Sequence, residues 1–301
     1  RSLYLQMNIL GISVGFHDAA ISIVDNRGEI LFAAHSERYS KIKHDANLSS
    51  QLVKEIATYQ PFNTIAYYEK PFLKQLRQLY AGQKINWTKL STKNVIKEQL
   101  GNTIKSSYKL KSYSHHLSHA AAGFQTSNFN RATVVVIDAI GEWETISIWG
   151  AEYKNDRAVY KKLWSKKYPH SIGLFYSAMT KYVGLKPLDE EYILMGMSAY
   201  GKQNNSHKLK NLFVENEWDL SFKDNLHLGI NSNTLDEWHN WDIAAATQQL
   251  TENLIYNVIR RARNFDWSDN LVYMGGVALN CVANSKLHNY FNKVWIMPNP
   301  G

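Results

Sequence analysis

The sequence predicts an α/β protein of two lobes, each built around a mixed β-sheet. Three strand-like runs open the chain at 9–15, 19–24 and 29–34, and helix-like and strand-like segments alternate after them. The same order begins again at Thr133, with strand-like runs at 133–138, 145–150 and 159–164. A length of 301 residues is sufficient for two such lobes, so we interpret the repeated order as a duplicated architecture.

The remaining elements follow from periodicity, and they set the expected domain boundaries. Helices are predicted at 49–59, 71–80, 92–106, 115–127, 171–183, 242–263 and 278–290, and further strands at 64–68, 271–276 and 293–297. The first lobe is expected to span 7–130 and the second 131–301, while residues 1–6, which precede Met7, are expected to be a tag or unstructured. No helix follows the last strand before Gly301, so the second lobe is expected to be incomplete.

Composition narrows the class of protein. Apolar residues make up 45% and charged residues 20%, and no apolar run is long enough for a membrane span, so no membrane association is expected. A single cysteine, Cys281, fits a reducing, cytoplasmic setting. The net charge is +8, but the lysines are scattered, which argues against nucleic acid and remains compatible with an anionic small molecule such as a nucleotide.

A pair of histidines carries the clearest chemical signal. His115 and His119 are four residues apart in an alanine-rich stretch, so a helix places both imidazoles on one face, where they can bind one metal ion. Asp138, at the end of a strand-like run, would supply a third ligand. Iron and zinc are both compatible with this N/O ligand set. A surface helix face, or a set of hydrogen-bonded core histidines, remains the alternative.

Three glycine-containing loops are candidates for binding a nucleotide. They are Gly15–Asp18, Asp138–Glu142 and Gly275–Asn280. Glycines allow backbone N–H groups to approach phosphates, although a Gly-Gly pair between strand and helix is often only a packing turn. Two similar loops in two similar half-domains resemble the nucleotide clamp of the actin, sugar-kinase and chaperone-ATPase superfamily.

Five stretches together resemble one family. They are Gly15-Phe-His-Asp-Ala-Ala20, Glu37-Arg-Tyr-Ser-Lys-Ile-Lys-His44, Ser114-His-His-Leu-Ser-His-Ala120, Leu194-Met-Gly-Met-Ser-Ala-Tyr-Gly201 and Gly275-Gly-Val-Ala-Leu-Asn280. The chain resembles the N-terminal domain of the O-carbamoyltransferases that modify nodulation factors and antibiotics, a domain similar to the ATPase of tRNA threonylcarbamoyl modification. The resemblance spans nearly all of residues 8–301.

The resemblance implies a mechanism and its participants. Carbamoyl phosphate and ATP give carbamoyl-adenylate in a separate adenylate-forming domain, which is not found in this chain, and the carbamoyl group then passes to a hydroxyl-bearing small-molecule acceptor. The fragment alone is therefore expected to be inactive, and a homodimer is left open.

The resemblance also assigns roles to residues. It makes His115, His119 and Asp138 the ligands of a divalent metal and gives His17, Lys43 and His44 to the anionic intermediate. It gives Gly15, Gly141, Glu142, Gly275, Gly276 and Asn280 to the nucleotide.

Two positions depart from the family pattern, and other functions stay open. Ala139 replaces the first glycine of the second phosphate loop, and Ile193 replaces a lysine. A fourth metal ligand, an aspartate, is expected just beyond Gly301. The alternatives are an ATPase or sugar kinase of the same superfamily and a nucleotide-binding module without catalytic activity.

Overall fold

The computed structural model describes residues 8–105, 107–202, 205–231 and 234–301. The segment 1–6, expected to be a tag or unstructured, lies outside the described residues. The chain divides into two compact units, residues 1–118 and 119–301, and the division falls inside one helix. Among the described residues, no helix combines the length and hydropathy that a membrane span requires.

The first unit contains a five-stranded mixed sheet. Its strands are β1 (Asn8–Ser13), β2 (Ala20–Val24), β3 (Ile30–His35), β4 (Phe62–Tyr67) and β5 (Lys109–Ser112), and its helices are α1 (Glu37–Ser40), α2 (Ser50–Ile56), α3 (Pro71–Tyr80) and α4 (Thr92–Leu100). The strand order is β3-β2-β1-β4-β5; β1–β3 are antiparallel neighbours, whereas β4 is parallel to both β1 and β5. Apolar side chains of these strands and of α2 and α4 form a core of this unit's own.

Helix α5 (His115–Thr126) crosses the division, and the other elements belong to the second unit. The strands there are β6 (Arg131–Ile137), β7 (Glu144–Lys154), β8 (Arg157–Lys167), β9 (Val214–Asn216), β10 (Ser221–Phe222), β11 (Asn270–Met274) and β12 (Lys293–Ile296). The helices are α6 (Ile172–Tyr182), α7 (Glu191–Met197), α8 (Ser206–Phe213), α9 (Asn240–Asn264) and α10 (Cys281–Asn284).

The second five-stranded sheet repeats the topology of the first. Its order is β12-β11-β6-β7-β8, with β6, β7 and β8 antiparallel in turn and β11 parallel to both β6 and β12. β6 is the central strand, and its six residues after Arg131 are all buried, which explains its continuous apolar run. The predicted fold class, α/β with a mixed sheet in each lobe, is confirmed.

Two predicted helices differ from the observed ones. The predicted helix at 278–290 is wrong: α10 covers only four residues, and single 3₁₀ turns flank it at Gly276–Leu279 and Leu287–Asn289. Asn280 has a non-helical backbone and caps α10 with its side chain, so the helix starts afresh there. The predicted helix at 92–106 ends early, because Gly101 has a positive φ of 56°.

Two strand predictions were too short. The strands predicted at 145–150 and 159–164 belong to one long hairpin, β7–β8. Its turn is Asn155-Asp156, where both residues have positive φ, 50° and 59°. A two-residue turn of this kind matches the twist of the flanking strands.

Candidate functional site

Each part of helix α5 packs closely within its own unit. Ser118 Oγ, in its first turn, donates to the carbonyl oxygen of Tyr68 across 2.7 Å. Further along, a Cβ at Gly123 would lie only 2.5 Å from Met274 and 2.6 Å from Val272, so the missing side chain lets α5 approach β11 closely.

His115, His119 and Asp138 come together as the sequence predicts. One donor atom from each residue lies within 4.8 Å of the others, and His119 Nε2 is 3.7 Å from Asp138 Oδ2. Both His119 and Asp138 are largely shielded from solvent, with side-chain exposures of 13% and 17%. His116 is fully buried, which agrees with its position around the helix from the pair.

The donor set fits a transition metal. Donor atoms bound to one ion at bond lengths of about 2.1 Å lie roughly 3–4 Å apart, and the His119–Asp138 separation falls in that range. Two imidazoles with one carboxylate suit iron or zinc better than a hard oxygen-seeking cation.

Backbone amides orient the carboxylate of Asp138. Oδ1 accepts from the N–H of Ala139 at 2.8 Å and from the N–H of Gly276 at 3.4 Å. Oδ2 is thereby turned toward His119. The Gly275–Gly276 loop consequently helps to orient Asp138, the candidate metal ligand. The linear sequence does not indicate this contact.

The geometry of this loop favours glycine at both positions. Gly275 has φ +92°, and a Cβ there would lie 2.2 Å from the carbonyl oxygen of Ile137. A Cβ on Gly276 would lie 3.2 Å from Asp138 Oδ1. The loop is therefore packed against the end of β6, and side chains at these positions would disturb the carboxylate.

Asn280 sits in a buried polar network. Its Oδ1 accepts from the N–H of Ala283 and from Gln248 Nε2, and its Nδ2 donates to Gln248 Oε1, each over 3.0 Å. Gln248 also donates to Glu252 Oε1 at 3.1 Å and accepts from the Tyr176 hydroxyl at 2.9 Å. Burial raises the pKa of Tyr176, and the neighbouring carboxylates raise it further. These contacts hold α10 against α9 directly after the glycine loop.

The loop after β6 is closed and packed on α6. Asp138 N–H donates to the carbonyl of Thr145 and Gly141 N–H to that of Glu144, while the Glu142 side chain is buried. Ser171, which caps α6, donates to the carbonyl of Ala139 at 2.7 Å. A Cβ on Gly173 would lie 2.7 Å from Ala139 Cα, so α6 and this loop are in very close contact.

In the first unit, His17 and His44 share one carboxylate. Asp18 Oδ2 lies 2.7 Å from His17 Nδ1, and Asp18 Oδ1 lies 3.1 Å from His44 Nδ1. Burial raises the pKa of Asp18, but the hydrogen bonds from His44 and His17 outweigh it and hold that pKa below its ordinary value. Lys43 is exposed in the same loop as His44.

Backbone hydrogen bonds join the two loops that carry His17 and His44. Gly15, with φ +93°, donates its N–H to the carbonyl of Ala46, and Ala19 N–H donates to the carbonyl of Asp45. Asp18 and His44 themselves have positive φ, 51° and 57°. Sequence reasoning missed Asp18 as the bridging residue, although it stands in the Gly15-Phe-His-Asp18 motif.

The family model described as "Carbamoyltransferase N-terminus" matches residues 8–301. The chain belongs to this family. The family to which the five motifs pointed is thus confirmed.

Individual relatives agree with this assignment. A Synechocystis protein designated sll1178 is 32% identical over 98% of this chain and 55% of its own length. Nodulation protein NolNO of Sinorhizobium fredii is 26% identical over 94% of this chain and 44% of its own length. The chain spans about half the length of the curated relatives it matches.

Among solved structures, a similar one is the activator of the 2-hydroxyisocaproyl-CoA dehydratase from Clostridium difficile with bound ADPNP. The identity is 12% and the TM-score 0.47, over 98% of this chain and 90% of that one. Component A of the Acidaminococcus fermentans (R)-2-hydroxyglutaryl-CoA dehydratase has 15% identity and a TM-score of 0.47, over 97% and 92% of the two chains.

Proposed function

We propose that this chain forms the part of a carbamoyltransferase that receives carbamoyl-adenylate, made from carbamoyl phosphate and ATP, and transfers the carbamoyl group to a hydroxyl of a small molecule. The family membership supports the reaction class. The observation that carries the proposal is the cluster of His115, His119 and Asp138, since three metal-binding side chains in one shielded place are rarely needed for folding alone.

The three cluster residues would hold a divalent iron or zinc ion. When bound, the metal supplies Lewis-acid polarisation of the carbamoyl carbonyl or orientation of the phosphate. Asp138 contributes one oxygen to the site while its other oxygen stays on the amides of Ala139 and Gly276. The hydrogen bonds to Oδ1 therefore orient the Asp138 carboxylate in the absence of metal, as outer contacts of metal ligands commonly do.

The nucleotide portion is assigned to the glycine loops. Gly275 packs the loop against the Ile137 backbone, whereas a Cβ on Gly276 would meet only Asp138 Oδ1, so the ribose or base is assigned to the side of Gly276. Asn280 then supports that loop through its contacts with Gln248 and Ala283 rather than by offering its own amide. Gly15, Gly141 and Glu142 are assigned to the phosphate side on the family resemblance.

The anionic intermediate is assigned to His17, Lys43 and His44. Because an ionised carboxylate can only accept, Nδ1 of each imidazole is assigned as the donor to Asp18. We assign to Nε2 of His17 the role of base toward the proton of an acceptor hydroxyl. Lys43 contributes a positive charge in the same loop.

Metal analysis of purified protein tests the central observation. The His115→Ala, His119→Ala double variant should lose the bound iron or zinc, whereas His288→Ala, which removes an exposed histidine elsewhere, should retain it. Equal metal content in the parent and the double variant would refute the metal assignment.

Nucleotide assays separate the proposed reaction from the alternatives. Calorimetry with an unreactive carbamoyl-adenylate analogue should show binding that adenosine alone competes for. ATP hydrolysis indifferent to carbamoyl phosphate would instead identify an ATPase or kinase. Absence of binding to any adenine nucleotide would identify a module that has lost the site.

A further inference from the structure

Helix α3 is turned with its apolar face outward. Phe72, Leu73, Leu76, Leu79 and Tyr80 are all exposed, between 36% and 68%. At about 100° per residue these five positions fall within a stripe of roughly 120°. A helix on a water-facing surface ordinarily buries such a stripe, so this one indicates a surface that something else covers.

The polar side of α3 is what anchors it. Gln75 and Arg77 are buried, with exposures of 5% and 6%. Gln75 Oε1 accepts from the N–H of Asn86 at 2.8 Å, and Lys74 Nζ lies 2.9 Å from Glu69 Oε1. These contacts fix which face points outward, so the helix cannot simply rotate to bury its leucines.

The surroundings of this stripe are strongly basic. Residues 70–111 contain ten lysines and arginines and one acidic residue, Glu98, a formal net charge of +9 against +8 for the whole chain. Exposed lysines Lys84, Lys93 and Lys97 lie in this segment, which also contains Trp87, an aromatic side chain that is 74% exposed. Helix α3 packs on the 3₁₀ turn at Trp87–Lys89, and that turn packs on α4, so these exposed lysines lie on elements adjacent to α3.

We infer that this surface, which we call the α3 face (residues 70–97), docks an acidic amphipathic helix of a polypeptide partner. A ten-residue helix offers a ridge about 15 Å long, the shape that another helix complements through its side-chain rows. The partner should carry carboxylates beside its apolar stripe, because basic side chains there would be repelled by the lysines of this surface. A second copy of this chain would bring two basic surfaces together and is disfavoured for the same reason.

A polypeptide is favoured over a lipid surface by the relatives. The curated relatives are about twice as long as the part matched here, so the family carries further polypeptide beside this domain. The inference concerns a partner surface and stands independently of the proposed carbamoyl chemistry.

The probe is a helical peptide with leucines at i, i+3, i+4 and i+7 and glutamates elsewhere. We expect it to bind the whole chain, and its affinity to fall as salt is raised. The Leu76→Gln, Leu79→Gln variant should bind on the order of tenfold more weakly, because two apolar contacts are lost. Lys84→Glu, Lys93→Glu should also bind more weakly and lose most of the salt dependence.

Matched controls make the test decisive. Ile30→Gln removes an apolar side chain that is even more exposed, on β3 of the same unit, and should leave the affinity unchanged. Circular dichroism should show every variant folded, since all of these side chains are exposed. Equal binding of a peptide with lysine at each glutamate would overturn the inference, as would tighter binding to anionic vesicles or self-association that Leu76→Gln, Leu79→Gln abolishes.

Discussion

The N–H of Gly276 points at Asp138 Oδ1, 138 residues earlier in the chain, at 3.4 Å. This contact joins two motifs that the sequence presents as separate, the glycine loop assigned to the nucleotide and the carboxylate assigned to the metal. The two ligands of the proposed reaction are therefore expected to affect one another through this loop.

Gly276→Ala should weaken metal binding without unfolding the protein. The added Cβ would lie 3.2 Å from Asp138 Oδ1, so the carboxylate must shift by a few tenths of an ångström. Disturbing an outer contact of a metal ligand typically costs about 10- to 100-fold in affinity. Competition titration with a zinc chelator measures the change. Gly196→Ala is the control, because a Cβ there meets nothing within 4 Å, and equal losses in both would count against the contact.

Gly173→Ala should destabilise the second unit. Its Cβ would lie 2.7 Å from Ala139 Cα and 2.8 Å from Ala139 N, and backbone atoms cannot move aside as a flexible side chain can. Overpacking of this kind costs about 1–3 kcal/mol in the free energy of unfolding. Urea unfolding checks the value, again beside Gly196→Ala. An unchanged unfolding midpoint would mean that the backbone at Ala139 can shift to accommodate the added methyl group.

Asp18→Asn should lower stability near neutral pH but not in acid. Asparagine tolerates the left-handed backbone at Asp18, so the change removes the charge without adding strain. The pKa of Asp18 is lowered in the folded protein, so its contribution is present above the ordinary value of 3.8 and is lost as pH falls through the folded pKa. The difference from the parent should be about 1 kcal/mol or less at pH 6 and should shrink below pH 3.8.

Asp156→Asn is the matched control for this pH dependence. Asp156 also has a positive φ, 59°, but it lies exposed in the β7–β8 turn. Thermal unfolding at pH 6 and in acid should show no comparable change for it. A similar pH-dependent loss in both variants would mean that the shared histidine contacts are not the cause.

Gln248 and Asn280 should behave as a coupled pair. Either residue replaced by alanine leaves buried polar atoms of the other without their partner, at a cost of about 1–3 kcal/mol. The double variant should cost less than the two single losses combined, because the reciprocal bonds are lost once. Urea unfolding of the four proteins measures this, with Gln249→Ala, on the partly exposed side of α9, as the control. Strict additivity would contradict the coupling.

The sequence predicted those features that depend on neighbours along the chain. The apolar run of β6 and the spacing of His115 and His119 are local patterns, and they led to the central strand and to the clustered donors. β5 was missed because Leu110 is its only apolar residue, so no alternation was visible. The contacts of Gly276 with Asp138 and of Gln248 with Asn280 join distant segments, and no local pattern reports them.

The amide pair of Gln248 and Asn280 can be arranged in only one way. The N–H of Ala283 at one end and the carboxylate of Glu252 at the other decide which atom of each amide is oxygen and which is nitrogen. Deamidation of Asn280, a common form of protein ageing, would replace its donor with an oxygen facing Gln248 Oε1. Deamidation at this one buried nitrogen would thus weaken the packing of α10, the helix turn that follows the glycine loop, and would leave the rest of the fold in place.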